Sequence, residues 1–118
     1  MKTARHKRGA RMEAAELRLT RMRRQRGIIL KLVREGHENQ LSRLDDFEVW
    51  TILLKMSQTV GREQTLTLLQ DLCVLGYVEF KQSMNEINGQ IELSQIQLTA
   101  LGLRFVSAGR SNDDVLFA

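Results

Sequence analysis

The residues able to do covalent or metal chemistry are few: one cysteine, Cys73, and two histidines, His6 and His37. A nucleophilic thiol needs an exposed, charge-stabilised thiolate. Cys73 instead follows Leu66, Leu69 and Leu72 at helical spacing, which predicts a buried structural thiol. Neither histidine has Cys or carboxylate neighbours at ligand spacing, so no metal site is expected. Asp45-Asp46 precedes an apolar run and reads as a helix cap before it reads as an acid/base pair. No glycine-rich phosphate loop and no Ser/His/Asp set is present. Trp50 and Met56 fit a core better than a cofactor box. The expectation is a protein that is not an enzyme, with no cofactor and no small-molecule ligand.

The chemistry that remains is charge. Residues 1–26 carry ten Lys or Arg and two acids, a net +8, while residues 27–118 carry eight bases and twelve acids, a net −4. The overall +4 is therefore a basic arm joined to a mildly acidic domain. Arg5, Lys7, Arg8 and Arg11 can follow phosphates, and Arg18, Arg21, Arg23, Arg24 and Arg26 can form a basic helix face. Such an arm predicts a polyanion partner, duplex DNA first and RNA less so, the plain alternative being a solvated tail. The chain of 118 residues suits one core. A single cysteine excludes an internal disulfide, no run is long and apolar enough for a membrane span, and the basic start lacks the apolar stretch of a secretory signal. The expected location is the cytoplasm.

The elements that must position these bases follow from periodicity. Residues 10–34 are rich in strong helix formers, with Gly27 a candidate break and Gly36 a candidate stop. Residues 1–10 hold little to bury and are expected to remain mobile. Met12, Ala15, Leu19, Met22, Arg26, Ile29 and Val33 form a heptad-like seam, either a homodimer contact through the N-terminal helix or the face that packs on the core. After a polar connection over residues 37–44, Asp45 or Asp46 caps a second helix, expected to be the most buried element. A third runs from Arg62 to Leu75, with apolar positions Leu66, Leu69, Leu72 and Cys73, and Gly76 ends it. The period then changes to two. Asn88-Gly89 predicts a two-residue hairpin turn that pairs Ile87 with Gln90 and Met84 with Leu93, with a bulge near Ser94-Gln95. Thr99 caps a last helix that stops at Gly109, and residues 110–118 read as a polar tail with a late Val115-Leu116-Phe117 cluster.

Three stretches carry a resemblance: REQTLTLLQDLCVLGYVEF from Arg62 to Phe80, Leu98-Thr99-Ala100-Leu101-Gly102, and Ile28 to Val33. In this order they resemble the winged helix-turn-helix superfamily. The implied fold is mainly α with a β-hairpin (α+β), with an arm over residues 1–26, a winged-helix domain over 27–109 and a tail over 110–118. With Gly109-Arg110-Ser111, the chain is also similar to small winged-helix proteins of Mu-like phages and prophages. The resemblance implies a DNA-binding transcriptional regulator or DNA-packaging accessory. In that family the third helix enters the major groove, which assigns base contacts to Arg62, Gln64, Thr65 and Thr67, with Gln70 and Asp71 further along, and a wing contact to Lys81. Two features oppose this. Arg62, Glu63 and Asp71 sum to −1, and the wing tip from Ser83 to Gln90 holds Glu86 and no Lys or Arg. The alternative is a winged-helix protein–protein interaction module without direct DNA readout.

Overall fold

The computed structural model describes residues 2–39 and 43–117, with side chains from residue 13 onward. Its element order is α1 (Lys2–Glu38), α2 (Asp46–Lys55), α3 (Arg62–Val74), β1 (Val78–Met84), β2 (Ile91–Leu98) and α4 (Ala100–Ala108). The fold is thus α+β, with four helices and one antiparallel hairpin among the described residues. No helix among these residues is long and apolar enough to cross a membrane.

α1 differs most from expectation. It begins at Lys2 and runs 37 residues to Glu38, through both Gly27 and Gly36. Residues 2–10, expected to lie outside it, are its first turns. Both glycines are buried within the helix instead of breaking it, and Gly27 allows a close backbone approach. Leu44 packs beside Gly36, and a Cβ on Gly27 would lie 2.3 Å from the Leu116 carbonyl oxygen. The helix ends at Asn39, whose side-chain amide donates to the Glu35 carbonyl at 2.8 Å. Ile29, Leu30 and Val33 are fully covered by the core, but Leu17 and Leu19, toward the N-terminus, are half exposed. The heptad-like seam is therefore divided. Its C-terminal half belongs to the chain's own core, and Ala15 and Leu19 lie beyond it.

Asp45 caps α2 through a reciprocal box: its carboxylate accepts from the Glu48 N–H at 2.7 Å, and the Glu48 carboxylate accepts from the Asp45 N–H. α2 is less buried than its composition predicts. Val49 and Leu53 face the core, but Phe47, Leu54 and Met56 remain exposed because only one side of the helix is covered. The Trp50 indole N–H donates to the Val60 carbonyl at 2.9 Å and holds the turn into α3.

The buried face of α3 is Thr65, Leu68, Leu69 and Leu72, rotated from the expected stripe, and Cys73 is exposed. A threonine can sit there because its hydroxyl donates to the Gly61 carbonyl one turn back, at 3.0 Å. Gly76, at φ +86°, then turns the chain into β1.

In the hairpin Met84 pairs with Ile91 and Gln82 with Leu93, not Met84 with Leu93. The expected two-residue turn is replaced by a loop over residues 85–90. The Asn85 side chain accepts from the Ile87 N–H at 2.8 Å, and its backbone N–H donates to Gln90. This local Asx geometry overrides the Asn-Gly signal. The bulge expected near Ser94-Gln95 is present: Glu79 pairs with Gln97 and Lys81 with Ser94, and Gln95 has φ +53°. Leu44 forms an isolated antiparallel bridge to Ile96 on the far edge of β2.

Thr99 caps α4, and Gly102 lets that helix lie against the Tyr77 carbonyl, where a Cβ would sit at 2.0 Å. The C-terminal segment is not a free polar tail. It crosses α1 as a strap, with Val115 fully buried, the Leu116 N–H donating to the Arg23 carbonyl at 3.0 Å, and Phe117 5.1 Å from Phe105.

Candidate nucleic-acid interface

Arg62 opens α3, beside the loop between β1 and β2. Its guanidinium lies 3.5 Å from the Asp46 carboxylate and also donates to the Gln90 side chain. Asp46 is 3% exposed and accepts from the Leu93 N–H at 3.3 Å as well. Arg62 therefore ties α2, α3 and the hairpin together. It does not present an open fork of the kind that reads guanine.

The other recognition-helix residues divide. Gln64 and Thr67 are exposed, although the Thr67 hydroxyl donates to the Glu63 carbonyl at 3.2 Å. Thr65 is fully buried and cannot meet a base edge, which corrects the site expected from the resemblance. Gln70 and Asp71 are half-buried. Asp71 pairs with Arg26 of α1 at 3.0 Å, so one acid of the expected reading helix cancels one base of the expected basic face. Lys81 is exposed on β1, and Glu86 lies exposed in the loop.

The basic helix face also divides. Arg18, Arg21 and Arg24 are exposed and make no ion pair among the described residues. Arg23 donates to the Asn112 carbonyl at 2.6 Å, and Arg26 donates to the Asp114 carbonyl at 3.0 Å. These two arginines hold the strap. Arg5, Lys7, Arg8 and Arg11 lie on the same helix by backbone, but their side chains fall outside the described residues.

Two clefts flank Arg62. One of about 720 Å³, between the start of α3 and the hairpin loop, is lined by Leu66, Ile91 and Glu63. The other, of about 430 Å³, contains Asp45, Asp46 and Glu92. No group of three or more His, Cys, Asp or Glu among the described residues is arranged to hold a metal.

Asp46 and Gln90, the partners that hold Arg62, escaped the sequence reading. The Asp-x-x-Glu spacing of Asp45 and Glu48 assigns the cap to Asp45 and so leaves Asp46 for another role. Nothing local points to Gln90, 28 residues from its partner. Comparison of the chain with models of known protein families, with curated proteins and with solved structures gives no match.

Proposed function

We propose that the chain is a winged-helix protein that binds duplex DNA chiefly through α1, as a regulator or DNA-packaging accessory of the phage and prophage type. The winged-helix reading is supported by the order of three helices, a hairpin and a fourth helix, and by the Leu44–Ile96 bridge, a single antiparallel pair beside β2. The DNA reading rests on one observation. Arg18, Arg21 and Arg24 are exposed and free of acidic partners among the described residues, on a helix that carries the basic arm beyond the core. Phosphate contacts by such residues supply affinity without base recognition.

A salt titration of binding by the full chain, to specific and random duplex, tests this. Binding that strengthens steeply at low salt is expected, and no binding to any duplex at low salt would refute it. Arg62→Ala and Lys81→Ala are expected to leave the affinity within about twofold. A tenfold loss in either would favour groove reading by α3 and the wing. The second reading, a protein-interaction module, draws on the held Arg62 and on the hairpin's exposed Met84 and Ile87, the latter 97% accessible. Absence of nucleic-acid binding would favour it.

A further inference from the structure

The surface around Arg62 has no task in an α1-centred DNA reading, yet it is a shaped groove. The larger cleft joins two half-buried apolar side chains, Leu66 and Ile91, with exposed Ile87 in the same loop. Its frame is acidic. Asp45, Asp46, Glu63 and Glu92 line the two clefts, against one cation, Arg62, which Asp46 holds. An apolar groove in an acidic frame fits a basic amphipathic helix.

The chain contains a basic helix with an exposed leucine on the same face. Leu17, Arg21 and Arg24 follow one another at i, i+4 and i+7 on α1, with Arg18 beside them. All four are exposed, Leu17 at 52%. This stretch cannot reach the groove of its own molecule, because α1 is one unbroken helix whose C-terminal half is fixed in the core. Some 20 residues of helix precede Met22, about 30 Å at 1.5 Å per residue, enough to lie along a neighbour.

We propose that the Leu17–Arg24 face of one copy docks in the α3–hairpin groove of a second copy. Leu17 packs against Leu66 and Ile91, and the three arginines face Glu63, Glu92 and Asp45. The contact joins two different surfaces, so each copy keeps one unused face. Association then continues past two copies or closes into a ring. The arginines are shared with the DNA reading, so a polyanion competes with self-association, but the docking itself stands without that reading.

Sedimentation velocity on nuclease-treated full chain, without nucleic acid, tests the proposal at low and high salt. At about 50 mM salt the average mass is expected to rise with concentration beyond a dimer. At high salt, where Coulomb attraction is screened, it falls to the 13.6 kDa monomer. Arg21→Glu/Arg24→Glu and Glu63→Lys change only exposed residues, and each is expected to weaken association at least tenfold. A mixture of the two restores it, since the unchanged arm of the second variant meets the unchanged groove of the first, and the acidic arm of the first meets the altered groove of the second. A chain that stays monomeric at low salt overturns the proposal. So does an assembly that stops at two copies at any salt, which would point to symmetric pairing, through Leu19 if it survives high salt. Failure of the mixture to restore association also overturns it. None of these readouts depends on DNA, so the DNA reading stands or falls separately.

Discussion

Gly27→Ala puts a methyl group where the strap's backbone runs. In an open helix the change stabilises by about 1 kcal/mol. Here the new Cβ would lie 2.3 Å from the Leu116 carbonyl oxygen and 3.1 Å from its carbon, and backbone atoms cannot swing aside as a side-chain end can. Expelling the strap exposes Val115, which is fully buried and contributes about 1.5–3 kcal/mol. It also breaks the Leu116 N–H bond to Arg23 and the bonds from Arg23 and Arg26 to the strap carbonyls. Each such bond contributes about 0.5–1.5 kcal/mol net. After the helix-propensity gain the expected loss is about 2–6 kcal/mol. At roughly 4 °C per kcal/mol for a chain of this length, Tm falls by about 8–24 °C. Urea denaturation measures the first quantity and a thermal melt the second. Hydrogen exchange at the Leu116 amide should rise in the variant. Gly36→Ala is the internal control. Its Cβ would meet only the Leu44 side chain at 3.7 Å, an ordinary contact, so stability is expected to hold or rise by up to about 1 kcal/mol. A Gly27→Ala protein as stable as Gly36→Ala, with Leu116 still protected, would refute the strap reasoning.

Asp46→Ala leaves the Leu93 N–H without its acceptor and Arg62 without its carboxylate. The expected loss in urea is about 2–3 kcal/mol, below that of a fully buried pair because the Arg62 side chain is 27% exposed and can turn to water. Gly102→Ala drives a Cβ to 2.0 Å from the Tyr77 carbonyl and is expected to destabilise by about 3 kcal/mol or more, measured the same way. Thr65→Ala empties a core position and is expected to reduce stability by about 1–2 kcal/mol while leaving DNA affinity unchanged in a titration. A selective loss of affinity would return Thr65 to the reading surface.

What was legible in the sequence is what local chemistry decides. A cap at Asp45 or Asp46, Thr99 ahead of α4, and Gly76 and Gly109 as helix stops each act within a few residues, and each appears where the pattern places it, the first cap falling to Asp45. The bulge at Gln95 was legible because the apolar phase of β2 changes there. The hairpin turn was misread because the Asn85 side chain competes with the Asn88-Gly89 signal. The face of α3 was misread because the Thr65 hydroxyl is satisfied by its own helix and so can enter the core, pushing Cys73 to the surface. The strap was invisible for a different reason. Residues 110–117 are locally polar, and what holds them lies 88 or 89 residues away on Arg26 and Arg23. The same separation hid the division of the basic face into strap-holding and exposed arginines, which is the basis of the proposed DNA surface.

That division gives the most direct test of the central claim. The slope of log K against log salt for duplex binding should fall in magnitude by about 0.9 for each phosphate contact removed. Arg18→Ala/Arg21→Ala/Arg24→Ala removes three exposed cations without touching the core or the strap. The slope is therefore expected to shrink by about 2.7, with affinity lost evenly across specific and random sequences. An unchanged slope in the triple variant would contradict the assignment of DNA contact to this face of α1.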